Sequence, residues 1–253
     1  MRLLFDIGGT HMRISRGETT VDEYVSIPTP GDPLAAVTAL ALVAKQFSGC
    51  TLAVGGVAGD VTEEGSILGA NNIPAWEGFA LRDVLSESLS LPVTLANDAE
   101  LNGLGEALHG AGQGFSRVAY IGFGTGVGTS LIENGAVVPH SSGGALRERI
   151  VELADGSTLE ERVGGAYLLK NFGPPATMSR AVWDSLTPHV IEGVRNTIEA
   201  WSPDVVVLGG SLMNANNGFR IADIEKQIGG GAVVRQGTLG DASGLWGALS
   251  LPV

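Results

Sequence analysis

The chain has 253 residues, 44% of them hydrophobic, and a net charge of −12. That is enough apolar material for one large or two smaller domains, and the acidity argues against a nucleic-acid backbone as partner. The single cysteine, Cys50, excludes an internal disulfide and a cysteine-cluster zinc site, and no apolar run reaches the roughly 18 residues of a membrane span, so a cytoplasmic protein is expected.

The opening "RLLFDIGG" and "THMRISRG" predict a hairpin. A helix follows over "DPLAAVTALALVAKQF", with an Asp cap and Pro33 in its first turn. "TLAVGGVAG" reads as an apolar strand leaving through glycines, "GANNIPAWEG" as a loop, "LRDVLSESL" as a helix and "PVTLAND" as a buried strand. In "AELNGLGEALHG" Leu101, Leu104 and Leu108 fall on one helical face, with Gly110 as the stop. "VAYIGFGTGVGTSLIENG" then repeats the opening pattern of strand, glycine-threonine turn and strand. Gly9 and Gly124 stand close to half a chain apart, which predicts two related halves, each presenting a hairpin turn to a shared cleft. A helix near 179–200, the strand "DVVVLGGSL", a short helix near 221–228, the strand "AVVRQ" and a helical "LWGALSL" complete the order.

The turns carry the chemistry. In "DIGGT", Gly8 and Gly9 bring backbone N–H groups close to an anionic oxygen, and Thr10 adds a hydroxyl. "GFGTGVG", with Gly124, Thr125 and Gly126, offers the same chemistry to a second phosphate, and neither turn fits the Gly-Lys-Ser/Thr pattern. Gly209 and Gly210 end another buried strand, where a flat nucleotide ring meets bare backbone. Asp98 stands at a strand-to-helix junction, where capping alone explains it at roughly 1 kcal/mol; as a general base it takes the proton of an attacking hydroxyl. Asn97 offers an amide to a neighbouring hydroxyl, and Asp6 suits a Mg²⁺ bound through water. Asn71, Asn72 and Trp76 provide amides for sugar hydroxyls and a ring for packing. His11, Arg13 and His140 read as polar turn or exposed hairpin residues, and Cys50 as buried at the start of a strand.

In this order "FDIGGTHMR", "GVAG", "NNIPAW", "LANDAELNGLGEA", "IGFGTGVG" and "VVLGGS" resemble the ROK family of repressors, open-reading-frame proteins and bacterial sugar kinases. The resemblance implies an actin-like, ribonuclease-H-type fold of two α/β domains closing over ATP and a hexose: residues 1–110 with about 240–253, and residues 111–239. It implies Asp98 as general base, phosphate contacts from Gly8, Gly9, Thr10, Gly124, Thr125 and Gly126, and adenosine beside Gly209 and Gly210. Asn71, Asn72 and Asn97 would contact the sugar. A homodimer is implied as well.

The chain departs from the family where "GGALRERIVELADGSTLEERVGG" replaces a Glu-x-Gly-His segment and the zinc site that follows it. Zinc is therefore not expected. Glu148 stands where the family's sugar-binding glutamate would, the histidine has no counterpart, and Glu160 and Glu161 read as a charged helix face. The expectation is Mg-ATP-dependent phosphorylation of a hexose or hexose derivative, glucose or an N-acetylated amino sugar first. The alternatives are an inactive sugar-binding sensor or regulator and a kinase for another polyol or an anhydro sugar. Polyphosphate is the lesser donor, since long polyanions want a basic groove.

Overall fold

The computed structural model describes residues 1–69, 73–139, 152–213, 216–229 and 232–252. The chain divides into two units: Met1–Gly105 with Ala242–Val253, and Glu106–Asp241.

The first unit is built on a five-stranded sheet in the order β3-β2-β1-β4-β7. The predicted hairpin forms from β1 (Arg2–Ile7) and β2 (His11–Gly17), antiparallel with Asp6 opposite Arg13. An edge strand not foreseen from the sequence, β3 (Val25–Pro28), adds to β2. Its four residues carry too short an alternation to stand out. β4 (Leu52–Val57) and β7 (Val93–Asn97) run parallel to β1. A small hairpin, β5 (Asp60–Val61) and β6 (Ile67–Leu68), lies between them in sequence. β7, expected to be buried, is half-buried throughout because it forms the other edge of the sheet.

The period-2 pattern of β1 sorts its side chains. Leu3, Phe5 and Ile7 face a core with α1 (Pro33–Ala44) and α2 (Leu81–Leu89), which also buries Trp76. Leu4 faces the opposite way, into a cluster with Leu101 of α3 (Asp98–His109) and with Leu245, Ala248 and Leu249 of the last helix (Ser243–Ser250). α3 and that last helix approach through glycine: a Cβ on Gly247 would lie 1.9 Å from the Leu101 carbonyl oxygen. Leu101 and Leu104 are buried, but Leu108, expected on the same face, is 36% exposed. The final turn of α3 turns Glu106 and Ala107 inward instead.

The second unit repeats the sheet. Its order is β10-β9-β8-β11-β12, with β8 (Arg117–Phe123) and β9 (Val127–Glu133) as the hairpin and β10 (Ala136–Val137) beside β9. β11 (Val205–Gly209) and β12 (Val233–Gln236) run parallel to β8. Ala119, Ile121 and Phe123 of β8 enter a core closed by three helices: α4 (Leu159–Val163), α5 (Gly165–Phe172) and α6 (Arg180–Trp201). α7 (Ile221–Ile228) adds Ile224 to it, and the last helix, already described in the first unit, is α8. Cys50 sits half-buried ahead of β4, not in the core, and burial pushes its thiol pKa upward.

Candidate active site

In the first unit, Ile7, Val57 and Asn97 pair level across the sheet, so the turn Gly8–Thr10 and the start of α3 leave at the same carboxyl end of the parallel strands. That end is where open α/β sheets bind ligands. The turn is tied from behind: Thr29 donates from its hydroxyl to the Gly8 carbonyl at 2.7 Å and from its backbone N–H to the Thr10 carbonyl at 2.9 Å. Because a trans peptide holds C=O and N–H antiparallel, fixing the Gly8 carbonyl aims the Gly9 N–H to the opposite side.

The capping expected of Asp98 falls to Asn97. The Asn97 side-chain oxygen accepts from the backbone of Ala99 at 2.8 Å and of Glu100 at 3.2 Å, and its Nδ2 donates to the Gly59 carbonyl at 3.0 Å. Asn97 is therefore the helix cap. Asp98 accepts from the Ala99 N–H at 2.9 Å. Burial pushes its carboxyl up to about 6, against the hydrogen bonds that favour the charged form. Gly56 makes room for this junction, since a Cβ there would lie 3.1 Å from the Asp98 Cα.

Asp6 lies on the Leu4 face of β1, 5% exposed and packed against Gly244. Arg13 stands 3.6 Å from it, so Arg13 is not the exposed hairpin residue expected but a half-buried counter-charge. Its position directly opposite Asp6 in the hairpin register is the signal that could have revealed the pair.

In the second unit, Gly122 and Gly209 pair level across β8 and β11, which places the turn Gly124–Gly126 and Gly210 at the same end of that sheet. A Cβ on Gly124 would meet nothing within 4 Å, so packing does not require glycine there. Gly209 and Gly210 do have internal reasons: a Cβ would lie 2.6 Å from the Tyr120 hydroxyl in one case and 2.3 Å from the Phe123 carbonyl oxygen in the other. Gly210 also has φ +87°, which disfavours a side chain.

Glu160 departs from expectation. It is half-buried, and its Oε2 accepts from the Val127 N–H at 2.8 Å. Glu161 is the exposed member and completes a capping box with Thr158. Sequence reasoning also missed Glu106, 1% exposed, which accepts from the backbones of Ala111, Thr238 and Leu239 at 2.9, 3.1 and 2.9 Å. Its partners Thr238 and Leu239 are too distant in sequence for local pattern to show the contacts. Asn71, Asn72, His140 and Glu148 lie outside the described residues.

The two sheets, each a hairpin with an antiparallel edge strand and two parallel strands, define the actin-like ATPase class of α/β proteins. Residues 3–146, more than half of the chain, match the ROK family, and the chain belongs to it. Over 216 residues it is 29% identical to a polyphosphate glucokinase of Mycobacterium leprae (strain TN), a match covering 82% of this chain but only 62% of that protein. Among solved structures, an inorganic polyphosphate/ATP-glucomannokinase from Arthrobacter sp. strain KM superposes with TM-score 0.76 at 23% identity, covering 98% of this chain and 97% of that one. A ROK family glucokinase from Streptomyces griseus, in complex with glucose and AMPPNP, gives TM-score 0.74 at 21% identity with 98% of each chain covered. Among the described residues, no helix is long and apolar enough to cross a membrane.

Proposed function

We propose that the protein transfers the γ-phosphoryl group of ATP to a hydroxyl of a hexose or hexose derivative, with Asp98 as general base. The observation that carries this reading is the division of labour at the β7–α3 junction: Asn97 caps the helix, while Asp98 accepts from the Ala99 N–H through Oδ1, which would leave Oδ2 for a substrate hydroxyl. Asp98 would orient that hydroxyl as its oxygen attacks phosphorus, accepting the proton late, as suits a loose phosphoryl-transfer transition state. The Gly8–Thr10 and Gly124–Gly126 turns would bind the donor phosphates through backbone N–H groups other than those of Gly8 and Gly124, which donate to the His11 and Gly126 carbonyls, and Gly209 and Gly210 would lie near the adenosine. Asn97, Asn71, Asn72 and Glu148 would contact the sugar.

Among the described residues, no group of three His, Cys, Asp or Glu is placed to hold a metal ion. Mg²⁺ carried by nucleotide phosphates needs only one or two protein carboxylates. Asp6 fits that role through water only, because Arg13 already stands against its Oδ2. When bound, the ion would neutralise charge on the phosphates. The names of the relatives support sugar phosphorylation, and glucose and N-acetylated amino sugars are the first substrates to try.

The test is a panel of glucose, N-acetylglucosamine, N-acetylmannosamine, fructose and allose with Mg-ATP, reading ADP and sugar phosphate together. Inorganic polyphosphate, the donor that the names of two relatives point to, runs in parallel. Turnover on one sugar that falls at least about 100-fold in Asp98→Asn, with ATP affinity kept, supports the reading. Wild-type rates in that variant remove Asp98 from the mechanism.

A further inference from the structure

Three neighbouring strands of the first unit carry one level row of residues near the site. Arg13 on β2 stands opposite Asp6 on β1, and Asp6 is level with Gly56 on β4. Residues level across paired strands project to the same face of a sheet. Here it is the face that Leu4 and Val54 share with Leu101 of α3. A Cβ on Gly56 would lie 3.1 Å from the Asp98 Cα, so this glycine is the gap over which α3 begins. At strand spacings of about 5 Å, the row runs from a cation through a carboxylate to the helix start that bears a second carboxylate.

Asp6 is confined within that row. Its side chain is 8% exposed, and a Cβ on Gly244 of α8 would lie 2.9 Å from its carboxyl carbon. The Arg13 side chain, 3.6 Å from it, is the more open of the two at 17%. A guanidinium carries five N–H donors in a planar fork, which suits a carboxylate on one edge and a phosphate on another. Electrostatics calls for such a group here. A γ-phosphoryl group delivered to a hydroxyl held by Asp98 would meet negative charge on Asp98 and Asp6, in a chain of net charge −12. Like charges a few ångströms apart repel strongly where water is partly excluded.

We propose that Arg13 is a catalytic residue that, aimed by Asp6, grips the γ-phosphoryl oxygens during transfer. The assignment rests on the kinase reading above. As the bond between the γ-phosphorus and the ADP oxygen breaks, its electron pair leaves with ADP. The sugar oxygen forms the new bond to phosphorus, and the hydroxyl proton passes to Asp98. The guanidinium neutralises charge on the three oxygens of the group in transit, and its mounting on β2 beside the Gly8–Thr10 turn fixes it before the donor arrives.

The experiment compares affinities for Mg-AMPPNP and Mg-ADP by calorimetry in wild type, Arg13→Ala and Arg13→Lys, with circular dichroism to verify folding, and measures kcat on the sugar identified by the panel. Of the two nucleotides only AMPPNP presents a γ-phosphoryl group. Arg13→Ala is expected to bind Mg-AMPPNP about tenfold more weakly and Mg-ADP within about twofold of wild type, with kcat about 1,000-fold lower. Arg13→Lys keeps a positive charge beside Asp6 but loses the planar fork, so its kcat is expected to fall at least about tenfold. Should Arg13→Ala not fold, the kcat of Arg13→Lys decides. Equal weakening of the two nucleotides overturns the proposal, since Arg13 then acts only through Asp6 or the fold. Undiminished kcat in either variant does so too. A wild-type protein that does not bind Mg-ATP overturns the kinase reading beneath it, and the proposal with it.

Discussion

Asp98 carries two consequences of one shift. With its carboxyl near 6, Asp98 is ionised above that pH, so if it serves as the proposed base kcat/KM is expected to fall about tenfold per pH unit below it. A carboxyl whose folded value lies above its unfolded value of 3.8 favours the fold when protonated, and this contribution is lost as pH rises through about 6. At neutral pH the charged group therefore costs stability, on the order of 2–3 kcal/mol. Asp98→Asn, which keeps the oxygen facing the Ala99 N–H, is expected to melt higher than wild type at pH 7.5 and to lose that advantage near pH 4. A melting temperature below that of wild type at pH 7.5 would contradict the origin given for the shift. Glu106 matters through its backbone contacts. Its carboxylate satisfies three backbone N–H groups, and Glu106→Ala strands them in the interior, at a cost of about 3 kcal/mol or more in chemical denaturation. A loss under 1 kcal/mol would mean that the loop following β12 relaxes freely.

At the scale of elements, what could be read from the sequence was what is local. The two hairpins announce themselves by alternation and by glycine turns, and α1 by Asp32 and Pro33, which the structure uses as cap and first-turn residue. Residues whose roles depend on distant partners did not show. Glu160 looks like any charge on a short helix until α4 is laid against β9, and Leu108 fits a helical stripe that ends when the last turn of α3 buries Glu106. The double glycine of β4 also carried no visible role, yet Gly55 lies under the Phe5 ring and Gly56 under Asp98. Spacing between β4 and α3 thus sets where Asp98 stands. Gly56→Ala is expected to push the helix start outward by a few tenths of an ångström, costing about 1 kcal/mol of stability. It should lower kcat several-fold with ATP affinity unchanged, because catalytic geometry tolerates little displacement. Full turnover in a variant that retains the fold would show that the junction has slack.

At the scale of the whole molecule, the same five-strand plan appears twice, and both copies offer glycine turns at the carboxyl ends of their strands. The second copy is contiguous in sequence and the first is not. The first unit closes only when α8 lays Leu245, Ala248 and Leu249 on Leu4, Val54 and Leu101, and Arg2 donates to the carbonyls of Leu249 and Leu251, each at 2.8 Å. During synthesis, then, the segment made first, residues 1–105, lacks the helix that closes its own unit until Ser243–Ser250 follows. That earlier segment must wait with an apolar sheet face uncovered, so the interval before residue 252 emerges is when the nascent chain is most open to chaperone capture or aggregation.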